Sequence, residues 1–283
     1  MDADTIFIRH KLRTTSEVLE TLWSENLVAV HYLNDDSIDP DYYRAKGEET
    51  AANVLSRLHS CLKTGAIVAA SYREIKPGML KVGRVDPLKS KIRARQFLDR
   101  DRGKLIYKTV NLIDVKNIDL SQYVVLSGIQ PRGGTLTGWD SARKILECIL
   151  ADKTLPLELN SLHWSQLEVL CYEFLRDSGE LKNLLAPIGR NLYEVDICGL
   201  ASDGELLLAQ VTHSGNKKIT EDKVRRLGAF AGKNRKLIYF GPSSSPPNES
   251  RVLFISIEKV FDQMLKKNSK LIKSMLKADW VKS

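Results

Sequence analysis

EVDICGLASDGELLLAQVT, residues 194–212, places two apolar runs on either side of an Asp203–Gly204 pair. Asp-Gly between alternating apolar residues is the strongest short hairpin signal. It predicts strands at residues 194–199 and 205–212, with Asp196 on the first and Gln210 near the end of the second. Upstream, Ser161 or Ser165 starts a helix that runs to Arg176, and Ser178–Gly179 stops it. Downstream come a helix at 220–230, strands at 236–240 and 252–256, and a helix at 257–267. Residues 243–247, SSSPP, form only a short loop. The order α-β-β-α-β-β-α suits an α/β sandwich.

The N-terminal half is patterned differently. Strands are expected at 5–9, 26–32, 66–72, 79–85, 105–110 and 123–126. Helices are expected at 15–23, with Thr15 or Ser16 as cap, at 48–62, and at 139–150, capped near Thr137 or Asp140. Residues 34–43, NDDSIDPDYY, break regular structure. Gly83 inside a strand marks a bulge or a close backbone approach. Short strands with Gly and Pro turns suggest a small barrel-like domain, mixed α/β in content. The glycine-rich run GIQPRGGTLTG at 128–138 lacks a P-loop lysine and is expected to be a flexible surface loop. The boundary falls near 150–160, giving a recognition domain at 1–152 and a second domain at 153–283.

The chain has 283 residues and ordinary apolar and charged fractions, so disorder is not expected. Its formal net charge is +8 and its pI about 9.2, which favours an anionic partner. The charge clusters between Lys76 and Lys108: Lys81, Arg84, Lys89, Lys91, Arg93, Arg95, Arg100, Arg102, Lys104 and Lys108 face few acids. Cys61, Cys148, Cys171 and Cys198 form no CxxC pair and read as small buried hydrophobes in a reducing compartment. A zinc site at His163 and Cys171 lacks ligand spacing. No signal peptide or membrane-length apolar run is visible, so a cytoplasmic protein without membrane contact is expected. No P-loop, GxSxG elbow or HExxH helix occurs.

Glu168 in LEVLCYEF, Asp196 in EVDICG and Gln210 in AQVT resemble the pattern of the Mrr-like branch of the PD-(D/E)XK superfamily, over residues from about 160 to 265. The resemblance implies a restriction-endonuclease-like sandwich and a Mg²⁺- or Mn²⁺-dependent endonuclease. Asp196 and Gln210 would hold the metal, and Glu168 would add a carboxylate, with Glu194 and Glu173 as nearby alternatives. The pattern departs at the lysine of the family's Gln-X-Lys, where this chain has Thr212. Lys217 or Lys218 from the following loop, or Lys223 from the next helix, could supply the missing charge, and Lys218 is taken as the catalytic candidate. His213 could hold water as a weaker substitute. The alternatives are a nuclease fold that only binds nucleic acid, or a subunit of a larger defence complex. In structural terms Asp196 could equally be a buried acid satisfied by backbone donors or Arg190, Gln210 a strand-end amide, and the lysines a solvated face.

The resemblance further implies a role in restriction or phage defence and DNA, ahead of RNA, as the nucleic-acid partner. A homodimer or a defence-complex partner is expected, because one nuclease site cuts one strand. Phosphate contacts are expected from Arg84, Lys89, Lys91, Arg93 and Arg95 in the first half and from Lys217, Lys223 and Arg226, beside Arg225, in the second. GAIVAASY at 65–72 and MLKVGRV at 79–85 resemble strands of PUA- or EVE-like reader barrels. That resemblance implies base-stacking roles for Tyr72, Trp23 and Trp139, with Arg84 as a polar contact. The structural reading makes the three aromatics core residues.

Overall fold

The computed structural model describes residues 4–10, 14–189 and 194–277. They divide into two compact units, the first ending at Leu155 and the second beginning at Pro156. Both are mixed α/β.

The first unit opens with β1 (Asp4–Arg9), α1 (Ser16–Ser24) and β2 (Leu27–Val30). Next comes α2 (Pro40–Ala45), in the stretch expected to be irregular. Its proline occupies the first helical position, where no N–H is needed, and the Asp39 side chain accepts from the Asp41 N–H. The amphipathic α3 (Glu49–Thr64) buries Leu55 and Leu58 and leads into the buried β3 (Ala66–Ser71) and then β4 (Met79–Val85). There follow β5 (Ile92–Asp99), β6 (Gly103–Asn111), β7 (Ile113–Asp119), α4 (Val124–Ile129), β8 (Leu136–Gly138) and α5 (Arg143–Leu150). The strand expected at 123–126 is therefore the start of a helix. The β-branched Val124 and Val125 suggested otherwise, but Val125 and Leu126 bury on one side of a helical turn.

β1 and β3 pair in parallel at the centre of a five-stranded sheet ordered β7-β4-β3-β1-β8. A separate sheet is ordered β2-β6-β5. No closed barrel forms among the described residues; the short strands build two open sheets over a shared core of α1, α3, β3 and β6 side chains. At Gly83 the β4–β7 register shifts, and an added Cβ would lie 3.0 Å from both the Ile113 carbonyl and Leu112, so the bulge and the close approach occur together.

The second unit contains α6 (Trp164–Asp177), β9 (Leu181–Leu184), β10 (Ile197–Ala201), β11 (Leu206–Val211), α7 (Lys217–Gly228), β12 (Arg235–Gly241), β13 (Leu253–Ser256), α8 (Ile257–Lys267) and α9 (Ser269–Leu276). α6 starts after His163, which caps it and donates its own backbone N–H to Gln166 Oε1 at 3.0 Å. α7 starts after Asn216, whose side chain accepts from the Lys218 and Ile219 amides. The sheet order is β13-β12-β11-β10-β9, antiparallel from β9 to β11 and parallel from β11 to β13. Val224 and Leu227 of α7 pack with Leu208, Leu237 and Tyr239 on one face. Phe240, the next residue of β12, points to the opposite face and meets Phe174 of α6 edge-on at 6.3 Å. The sheet is thus sandwiched between α7 and α6, and α6 packs on α8.

Candidate active site

The second unit holds a cleft of about 330 Å³ lined by Trp164, Leu167 and Glu168 of α6, Asp196, residues 210–214 at the end of β11, and Ile219 and Lys223 of α7. Asp196 sits immediately before β10. Its backbone N–H donates to the Ala209 carbonyl at 2.9 Å, and its carbonyl accepts from Gly189 at 2.8 Å. Its side chain therefore starts from a fixed point. Oδ2 accepts the Val211 N–H at 2.8 Å and Gln210 Nε2 at 2.6 Å. Among the described residues no hydrogen bond reaches Oδ1. Burial pushes the carboxyl above its ordinary pKa, against the lowering effects of the Val211 amide, the Lys223 charge and the Gln210 amide.

Gln210 is 3 % exposed. Nε2 also donates to its neighbour's carbonyl, Val211 O, at 3.0 Å. Reversing the amide would set its oxygen against two acceptors, so this orientation is fixed by the network. Oε1 is left buried with no hydrogen-bond partner, as is Thr212 Oγ1 in the same cleft. Glu168 is buried and lies over Gly189, where an added Cβ would come within 2.7 Å of Oε2. Gly189 has φ +80°, which glycine adopts without strain. Cys171, one turn on from Leu167, is buried beneath the acids. Burial raises its thiol well above the usual value, and the Asp196 and Glu168 charges add to the effect.

The carboxylate alternatives are engaged elsewhere. Glu194 pairs with Arg226 at 2.9 Å and Glu173 with Arg176 at 3.7 Å. Arg226 also holds Asp222 at 2.6 Å. Of the three candidate lysines, Lys223 lines the cleft; Lys217 is exposed and faces Glu221 at 3.9 Å, and Lys218 is exposed on the first turn of α7, outside the lining. His213 is an exposed lining residue. Arg190 lies outside the described residues, and the Val211 amide is the backbone donor that the structural reading of Asp196 required. The zinc pair fails: His163 caps α6 and Cys171 is buried. Trp164 and Ile219 escaped sequence reasoning, since a tryptophan or isoleucine at helical spacing ordinarily reads as core; here they are 47 % and 42 % exposed.

A hard divalent cation prefers oxygen ligands. Among the described residues no three His, Cys, Asp or Glu side chains cluster to hold a metal by themselves. The cleft instead offers two carboxylates and an amide oxygen that is buried without a partner. Oxygen donors of this kind fit the chemistry of a hard cation such as Mg²⁺ or Mn²⁺.

In the first unit the proposed stacking residues are interior. Tyr72 is fully buried, donates to the Leu27 carbonyl and stacks on His10 at 4.1 Å. Trp139 is 2 % exposed and donates to the Ile129 carbonyl at 2.9 Å. Trp23 packs on the core, edge-on to Tyr72, with Lys81 Nζ over its ring at 4.4 Å. Tyr72 and Trp139 present no free face to a base, and Trp23 is half-buried. Two cations of the basic stretch are also internal: Lys81 donates to Asn26 Oδ1 at 2.6 Å, and Lys108 donates to the Leu33 and Asp35 carbonyls at 2.8 Å. Lys89, Lys91 and Arg93 are exposed, Arg84 is half-buried, and Arg95 forms a two-point pair with Glu25. The 128–138 run is tied down rather than free, since the Arg9 guanidinium donates to the Pro131 and Arg132 carbonyls and the Arg9 N–H to Thr135 O. No described helix is long and apolar enough to cross a membrane.

No family model matches the chain, and no curated protein matches it. Among solved structures it is similar to a repair endonuclease from Pyrococcus abyssi, at 13 % identity and a TM-score of 0.20 over 69 % of this chain and 72 % of that one. An EndoMS–dsDNA2 complex aligns at 13 % identity and a TM-score of 0.22, over 67 % of this chain and 74 % of that one. EndoMS in apo form aligns at 11 % identity and a TM-score of 0.18, over 76 % and 90 % of the two chains. Scores this low carry no weight for fold or activity, and the chemistry rests on the cleft itself.

Proposed function

We propose that the second unit is a metal-dependent phosphodiesterase of the endonuclease type that acts on nucleic acid, DNA ahead of RNA. The observation that carries the reading is Gln210 Oε1, buried without a partner beside the Asp196 carboxylate in a cleft that Glu168 also lines. A buried acceptor without a donor costs on the order of 1–3 kcal/mol. A cation held by Asp196, Gln210 Oε1 and Glu168 would remove that cost.

A bound Mg²⁺ or Mn²⁺ would polarise a phosphate oxygen and lower the pKa of a bound water. The chain's own contributions are positional. Asp196 is held by two donors on Oδ2, and Gln210 is locked by its two acceptors. Lys223 brings to the cleft the positive charge that Thr212 lacks, where it would stabilise charge developing on phosphate. This reading moves the catalytic lysine from Lys218 to Lys223. A role in restriction or phage defence, as a homodimer or in a larger complex, is the setting such an enzyme would suit.

Thr212 favours a second reading, in which the fold binds nucleic acid without cutting it. Plasmid cleavage with Mg²⁺ or Mn²⁺ separates the two, comparing the wild-type chain with Asp196→Ala and Lys223→Ala. Metal-dependent cutting lost in Asp196→Ala, and reduced by a factor of 100 or more in Lys223→Ala, is expected. Absence of cutting together with salt-sensitive DNA binding would support the binding module instead.

A further inference from the structure

Eight large hydrophobic side chains are exposed among the described residues, and two of them, Trp164 and Ile219, line the acid-bearing cleft. They come from different helices, Trp164 from the first turn of α6 and Ile219 from the first turn of α7. Both helix starts are fixed by caps, His163 and Asn216, so neither side chain is a frayed end. The His163 ring packs against the indole at 4.8 Å. Exposed apolar surface concentrated in a cleft with a few polar groups marks a ligand that is itself partly apolar. A phosphate and a cation would use Asp196, Glu168, Gln210 and Lys223, and would not account for the exposed apolar surface of this wall.

In a paired duplex the base faces are stacked inside, and the outer surface offers phosphate, sugar and base edges but no open π-face. An unpaired nucleotide offers a flat π-face one sugar away from its phosphate. We propose that Trp164, backed by Ile219, is a stacking platform for an unpaired base adjacent to the phosphate held in the cleft, so that the substrate class is single-stranded or locally unpaired nucleic acid. The inference deepens the phosphodiesterase reading and rests on it for the position of the phosphate. The cleft volume of about 330 Å³ lies at the lower end of ligand-pocket sizes, enough for one nucleotide.

The test uses the full chain with Ca²⁺, a cation that the same oxygen ligands can hold, under conditions in which a gel shows no cleavage. Anisotropy is measured for a labelled single strand, the matching duplex and that duplex with an unpaired bulge. A 2-aminopurine in the strand reports stacking by quenching. The wild type should bind the single strand and the bulge more tightly than the duplex. Trp164→Ala should weaken both by roughly tenfold, leave duplex binding unchanged and abolish the quenching. Trp164→Phe should keep most of the affinity and the quenching. Binding of the free nucleoside monophosphate as tight as that of the strand would overturn the substrate class in favour of a nucleotide pocket. Equal losses on all three nucleic acids, or none, would overturn the platform itself. Mn²⁺ titration of wild type and Asp196→Ala is run in parallel: binding that depends on Asp196 keeps the phosphodiesterase reading alive even where the stacking result is negative.

Discussion

Gln210 gives its side-chain amide hydrogens to Asp196 Oδ2 at 2.6 Å and to the Val211 carbonyl at 3.0 Å, and so keeps its own oxygen unsatisfied in the interior. The pair is not a self-contained structural contact, because each member still lacks something: Oε1 a partner, and Asp196 the solvation that its raised pKa reports. Sites of this kind exchange stability for chemistry.

That imbalance fixes the sign of a stability experiment. A carboxyl whose folded pKa lies above its unfolded value binds more protons in the folded state across the window between the two. Stability therefore falls as pH rises through that window, and the charged form costs stability at neutral pH. Asp196→Asn, whose amide oxygen can still accept from Val211 and Gln210, should raise metal-free stability at pH 7 by on the order of 1 kcal/mol. Mn²⁺ should raise the Tm of the wild type and leave that of the variant unchanged. Thermal melts of both, with and without metal, check this; a variant less stable than wild type in EDTA would show that Asp196 is a structural acid.

Gly189 is placed to set Glu168. Its φ of +80° would strain any side chain by about 1 kcal/mol, and a Cβ would sit 2.7 Å from Glu168 Oε2. Gly189→Ala should displace the carboxylate and weaken Mn²⁺ binding by roughly tenfold, while Glu168→Gln alone weakens it to a similar degree. In Gly189→Ala/Glu168→Gln the two losses should not add. Calorimetric Mn²⁺ titration of the four proteins reads the coupling, and full additivity would remove the link between the two positions.

How far the site could be read from the sequence depended on where its elements begin. The Asp203–Gly204 turn fixed the register that sets Ile197 against Ala209, and that alone brings Asp196 and Gln210 together. The choice among lysines turned on the first residue of α7. A helix from Thr220 leaves Lys217 and Lys218 as loop residues free to reach back. Capping by Asn216 starts the helix at Lys217 and puts Ile219 and Lys223, four apart, on the cleft face. β5 and β7 were missed because they are half-exposed, with cations or acids at alternate positions that mask the apolar period. α2 was missed because Pro40 reads as a breaker, although after an Asp39 cap it starts a helix. The aromatics of the first unit could not be divided into surface and interior without knowing the contacts of α1 and β3.

The exposed cations of the first unit make separable predictions about nucleic-acid binding. Arg93 is solvent-exposed on the edge strand β5, whereas Arg95, two residues on, is held by Glu25. An arginine that neutralises a phosphate contributes close to one unit to the slope of log K against log salt. Arg93→Ala should lower that slope by about one, and Arg95→Ala by clearly less, since its charge is already compensated. Filter binding over a salt series measures both, and equal slopes for wild type and Arg93→Ala would remove β5 from the interface.

His10 gives the first unit a pH dependence of its own. The ring is buried, stacked on Tyr72; Nε2 accepts the Ala29 N–H at 3.0 Å, which leaves Nδ1 as the donor to the Ser71 carbonyl at 3.3 Å. Protonation would put a hydrogen between Nε2 and a donor, and burial holds the folded pKa down to about 4. Below the ordinary value of 6.5 the unfolded chain takes up a proton that the folded chain refuses. Stability from this group is complete above about pH 6.5, declines as pH falls and is fully lost below about pH 4. The loss between pH 7 and pH 5 should be about 2 kcal/mol. His10→Phe keeps the stack on Tyr72 but removes the titration. It should be less stable than wild type at pH 7, because the Ala29 N–H loses its acceptor, and its urea midpoint should fall less between pH 7 and pH 5. A variant with the full wild-type pH dependence would assign the effect to other groups, of which His31, also pushed down by burial, is the first to test.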